Sequence, residues 1–199
     1  MATTSPKTAT DTRTASMTGV VEEDSGLAAL FLHGIKDIYY AEKKLTKALP
    51  KMIKAAKAPD LVKALTDHLE ETEEHVTKVE RIFESLDETP KAVKCEAIEG
   101  IVTEAEEILK EFGKTGAGDA AIIFAGQAAE HYEITRYGSL RAFAEILRYG
   151  EAEKLIESIL KQEKAADETL TKIAEDRVDW AAAHTKDTSK EGSLWRFWN

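Results

Sequence analysis

The chain has 199 residues, 43% hydrophobic and 32% charged, with four prolines, one cysteine and a formal net charge of −10. That acidity, with no basic face to offset it, argues against nonspecific nucleic-acid binding but not against binding cations. Cys95 alone excludes an intramolecular disulfide, no apolar run reaches the roughly eighteen residues of a membrane span, and the first residues lack the order of a secretory signal, so a soluble, cytoplasmic protein is expected.

Residues 1–24 are rich in Thr, Ser and Ala and read as a disordered tail. A helical domain is expected over 25–180. Asp24 or Ser25 is placed to cap a first helix over about 27–56, whose apolar positions recur with a period near 3.6. Residues 57–60 form a tight turn, with Asp60 the expected cap of a second helix over about 61–86. So short a turn makes the two helices antiparallel neighbours.

A long connection between Pro90 and Gly118 carries its own helical stretch, 95–112, with Ile98, Ile101, Val102, Ala105, Ile108, Leu109 and Phe112 on its apolar face. At 1.5 Å per residue it covers about 27 Å, enough to cross from one end of a bundle to the other. A third long helix is expected over about 119–148, stopped by Gly150, and a fourth over about 151–179. Two antiparallel hairpins joined by one long crossover define an all-α, ferritin-like four-helix bundle. Strand signals are absent.

Acidic residues sit on the inward stripes of all four long helices. Glu42 lies between Ile35, Ile38 and Leu45, Leu49, and Glu130 between Ile123 and Tyr137. Glu163 lies among Ile156, Ile159, Leu160 and Leu170. On the second helix His68, Thr72 and His75 occupy the centre of the apolar arc, with Glu71 on its flank. One turn from two of these acids lie Glu133 and Asp167, and residues three or four apart share a helix face. A carboxylate facing an apolar core is costly unless positive charge meets it. Four acids converging from four helices therefore predict a bound cation cluster, and oxygen ligands with one or two imidazoles suit Fe or Mn. Any one of these acids could instead snorkel or pair with a lysine, and His68 or His75 could be a core imidazole bonded to Thr72 or a carboxylate. Tyr39, Tyr40, Tyr132 and Tyr137 fit packing, or hydrogen bonds to the carboxylates. Glu70, Glu73 and Glu74 point away.

The blocks LFLHGIKDIYYAEKKLTKALPKM, HLEETEEHV, KCEAIEG, QAAEHYEITRYGSL and EKAADETL occur in order over residues 27–178. They resemble the YciE/YciF family of ferritin-like, rubrerythrin-related bacterial stress proteins. The resemblance implies a homodimeric helical bundle with a di-iron or manganese pair. By matching blocks the implied metal ligands are Glu42, His68, Glu71, Glu130, Glu133, Glu163 and Asp167. His75 stands where the family pattern has glutamine and is not among them. The ideal di-iron pattern places Glu-x-x-His on two helices. Here Glu71 is followed three residues on by Glu74, and Glu163 by Ala166. Three readings stay open: a dinuclear-metal protein oxidising Fe(II) or reducing oxygen or peroxide, a non-enzymatic stress protein with a structural or vestigial metal site, and an interaction module.

Residues 181–199 are expected to form a flexible tail ending in GSLWRFWN. Trp195, Phe197 and Trp198 have no use in a solvated tail, and a docking peptide is expected. The segment loosely resembles the C-terminal peptides that target cargo to encapsulin shells. Packing on the chain's own bundle or contact with a membrane surface are the alternatives.

Overall fold

A computed structural model describes residues 25–186, so the N-terminal tail and the Trp195, Phe197, Trp198 segment lie outside the described residues. The described residues form helices and no strand. They are α1 (Gly26–Ala55), α2 (Pro59–Ser85), α3 (Glu96–Phe112), α4 (Gly118–Leu147), α5 (Gly150–Ile173) and α6 (Asp179–His184). A π-helical turn, Ala174–Val178, joins α5 to α6 without a break, so the helical path runs past the expected boundary at 180. The helices α1, α2, α4 and α5 make a ferritin-like bundle. The crossover α3 packs on α4 and α1.

Ser25 caps α1, its hydroxyl accepting from the Ala28 amide at 3.2 Å. The second helix begins differently from the expectation. Pro59 opens it, where its missing N–H costs nothing, and Asp60 lies inside the first turn. The turn is instead held from across the bundle: the Asp119 carboxylate of α4 accepts from the Lys57 amide at 2.8 Å and the Ala58 amide at 2.9 Å. The turn after α4 also departs from expectation. Arg148, not Gly150, takes the left-handed conformation that ends the helix (φ 61°), and Gly150 is the first residue of α5. Cys95 is the cap of α3 rather than its first residue.

Among the described residues the core forms two apolar clusters. The first includes Phe31, Ile35, Ile38, Val79, Phe83, Tyr137 and Ile156, and the second includes Leu49, Leu61, Leu65, Ile122, Leu170 and Ile173. Along α2 the order is Leu65, then His68, Thr72 and His75, then Val79, so a polar layer separates the two clusters.

Candidate metal centre

That layer is buried. Glu42, His75 and Glu163 are fully enclosed, and His68, Glu130 and Glu133 are nearly so. Each comes from a 3.6-period buried stripe that turns polar for one or two turns. The side chains fall into two groups whose ligand atoms lie within 4.8 Å of one another: His68, Glu130, Glu133 and Glu163, and Glu42, His75 and Glu163. Glu163 belongs to both.

Several atoms of the layer have no hydrogen-bond partner: Glu42 Oε2, Glu130 Oε2, Glu133 Oε1, both oxygens of Glu163, and Nδ1 of His68 and of His75. Buried polar atoms are rarely orphaned, because each costs about 1–3 kcal/mol. His75 Nδ1 is 2.9 Å from Glu163 Oε1 and 3.6 Å from Glu42 Oε1, and His68 Nε2 is 3.1 Å from Glu130 Oε1. Adjacent donors around an octahedral ion with bonds of about 2.1 Å stand about 3 Å apart. The spacing and the orphaned lone pairs both fit cations held among these residues, and the oxygen–imidazole set suits Fe or Mn.

The surrounding groups set the orientation of these side chains. Tyr137, fully buried, donates its hydroxyl to Glu42 Oε1. Lys78 Nζ lies 2.5 Å from Gln162 Oε1, and an ammonium can only donate, so the amide oxygen faces it. The same oxygen is 3.3 Å from His75 Nε2. It favours the proton on Nε2 and leaves the Nδ1 lone pair toward Glu42 and Glu163, the tautomer a metal ligand requires. Thr72 donates to the His68 carbonyl at 2.7 Å, so neither imidazole is bonded to its hydroxyl.

Burial raises the carboxyl pKa values of Glu42, Glu133 and Glu163. Burial alone would lower His75, but the Glu163 and Glu42 carboxylates reverse this and raise it to about 10. His68 likewise ends well above its ordinary value, burial being outweighed by Glu130 and Glu71. Without cations, the layer keeps protons in their place.

The structure brings Glu42, His68, Glu130, Glu133 and Glu163 together. Glu71 stands beside them, its half-exposed carboxylate 3.8 Å from His68 Nδ1. Asp167 lies outside both groups, taken up by Gln127 Nε2 at 3.2 Å and His131 Nε2 at 3.3 Å. His75, which the family pattern leaves out, is central. Its place in the middle of the α2 arc was the signal in the sequence. Of the four tyrosines only Tyr137 reaches the layer. Tyr39 bonds Glu80, Tyr40 bonds Glu99, and Tyr132 bonds Asp37 and Cys95.

Residues 26–183 match the family described as "Domain of unknown function (DUF892)". Protein YciF of Escherichia coli (strain K12) is 41% identical over 151 residues, covering 75% of this chain and 91% of its own length. The crystal structure of the E. coli stress protein YciF is similar at 40% identity and TM-score 0.73, covering 77% of this chain and 97% of its own. YcfI from Rhodopseudomonas palustris is similar at 44% identity and TM-score 0.71, covering 74% and 94%. A protein from Xanthomonas campestris pv. campestris, at 21% identity and TM-score 0.63, shares the fold.

Proposed function

The chain belongs to the DUF892 family, and from that membership and its buried carboxylate–imidazole layer we propose a ferritin-like stress protein that holds a pair of Fe or Mn ions and acts on Fe(II), oxygen or peroxide. The stress role rests on its relation to YciF of E. coli, described as a stress protein. The metal pair rests on one observation: buried, unpartnered ligand atoms gathered in two groups around a shared Glu163.

In this reading His68, Glu130 and Glu133 would hold one ion and Glu42 and His75 the other, with Glu163 common to both groups. A redox-active metal pair held there would supply the chemistry of electron transfer to oxygen or peroxide, or from Fe(II). The chain's own residues do the remaining work. Tyr137 fixes the Glu42 carboxylate, and Gln162, held by Lys78, fixes the ring of His75. The apolar clusters flank the layer on either side, and Glu42, His75 and Glu163 are fully buried between them. Protons that the buried layer holds more tightly, above all on His75 and His68, are released as cations enter. Cys95 is a buried free thiol, which fits the reducing cytoplasm.

Anaerobic reconstitution with Fe(II) or Mn(II), followed by metal analysis, tests the centre. About two ions per chain are expected, and fewer than about one overturns the reading. Peroxide consumption and Fe(II) oxidation by the loaded protein test the chemistry. Bound metal that raises the Tm without either turnover leaves a structural centre and removes the redox role.

A further inference from the structure

The polar layer is open on one side. Between it and the second apolar cluster lies a cavity of about 190 Å³ whose floor includes His68, Glu130 and Glu133. Leu45, Leu49, Met52, Leu65 and Leu170 make its walls. Alanines and Gly126 supply the room: a Cβ at Gly126 would stand 3.4 Å from Leu170 Cδ1 and 3.7 Å from Met52 Cε, inside the cavity. The cavity reaches the surface between α2 and α5, where Asp67, Ala165 and Thr169 are exposed.

Size and lining together restrict the occupant. An apolar cavity of about 150 Å³ accommodates benzene, and dioxygen or peroxide needs far less. A cation finds ligands only at the acidic mouth and at the floor, while the leucine and methionine walls between them offer apolar contact alone. No lysine or arginine lines the space, while Asp67 and Glu71 do, so an anionic head group finds no counter-charge on the way in. The floor, by contrast, is polar, lined by His68, Glu130 and Glu133.

We propose that this cavity binds an uncharged apolar molecule about the size of one aromatic ring, with one edge against the carboxylate layer. That such a molecule is the substrate of the centre rests on the metal reading above. That it binds does not.

The test is an NMR titration of the full-length, metal-free chain with toluene and with benzoate, alongside metal analysis of the same preparation. Saturable toluene binding is expected, with benzoate weaker by at least about tenfold. Gly126→Leu, which fills the cavity, is expected to weaken toluene by at least about tenfold. Should Gly126→Leu fail to fold, Gly126→Ala decides, with an expected loss of about fourfold for one methyl. No saturable toluene shift, benzoate binding as tight as toluene, or toluene binding untouched by the folded Gly126 variant overturns the proposal. A chain that binds toluene but takes up no metal keeps the cavity and loses the metal centre. A chain that loads metal but rejects toluene does the reverse.

Discussion

His75 Nδ1 and Glu163 Oε1 stand 2.9 Å apart, yet neither is in line for a hydrogen bond. A simple ion pair would rotate the ring or the carboxylate by a few degrees to make that bond, since a charge-assisted bond is among the strongest available. Here the ring is held by Gln162 on its other side, and Glu163 is shared with His68, Glu130 and Glu133. The layer is therefore poorly satisfied by its own members, and its energetics should respond in opposite directions to removing an acid and removing a base.

Glu163→Gln removes the acid common to both groups. Metal uptake is expected to fall to less than half of the wild-type stoichiometry, by elemental analysis. The metal-free variant should be more stable than the metal-free wild type, because a buried carboxyl with a raised pKa gives way to a neutral amide. A gain of about 1 kcal/mol, or about 2–4 °C in Tm, is expected. A lower Tm together with full metal uptake would remove Glu163 from the centre.

His75→Leu acts the other way. It leaves Glu42 and Glu163 buried without their imidazole. Breaking such a group costs about 3 kcal/mol at neutral pH, limited by the carboxyls taking up protons. Urea denaturation of the metal-free protein reads this directly. An unchanged midpoint would mean that His75 carries no charge in the folded protein.

The pH dependence of the metal-free protein has a defined sign. Burial raises Glu42, Glu133 and Glu163 above 4.5, and His75 is raised from 6.5 to about 10 by carboxylates that outweigh its burial. All of these groups hold protons more tightly in the folded state. Their stabilisation is complete below the unfolded values and is lost as pH rises through the folded ones. Glu71, lowered by His68, opposes them only in acid, below about 4.5. Calorimetry in EDTA should therefore show Tm falling from pH 6.5 towards pH 10, His75 alone contributing up to about 1.4 kcal/mol per pH unit. Excess Mn(II) should flatten the curve, because the cation replaces the protons and its affinity grows with pH. A metal-free Tm that rises over this window would show that the layer is not protonated.

The long helices and their pairing were legible in the sequence because an apolar stripe of period 3.6 is a strong, local signal. The inward acids were legible for the same reason: Glu42, Glu130 and Glu163 interrupt that stripe near its centre. What a wheel does not give is depth. Glu71 and Asp167 lie on the right side of their helices, but Glu71 ends half-exposed and Asp167 is drawn to Gln127 and His131. His75 lies at the arc's centre, and only the approach of α5, which brings Glu163 and Gln162, gives it a role. The turn chemistry escaped because it is tertiary. Asp119 holds the α1–α2 turn from more than sixty residues away, and no local pattern announces it.

Asp119→Ala separates scaffold from site. It removes an acceptor from two backbone amides at the α1–α2 turn, comparable to the loss of a helix cap at about 1–2 kcal/mol. The urea midpoint should drop while metal stoichiometry stays at the wild-type level. A loss of metal in the folded variant would show that the turn, though outside the ligand groups, governs their spacing.

Gln162→Leu tests how His75 is presented. Gln162 is half-buried, and its oxygen joins Lys78 to His75 Nε2. Leucine preserves much of the bulk but accepts no hydrogen bond, so the ring loses what favours a proton on Nε2 and a free lone pair on Nδ1. Affinity at the group of Glu42, His75 and Glu163 should fall by about 10–100-fold, as for other groups that orient metal-bound histidines. The group of His68, Glu130 and Glu133 should keep its ion, because Gln162 touches none of them through a hydrogen bond. Metal titration should then resolve one tight and one weakened site, where two sites of unchanged affinity would mean that the amide packs beside His75 without directing it.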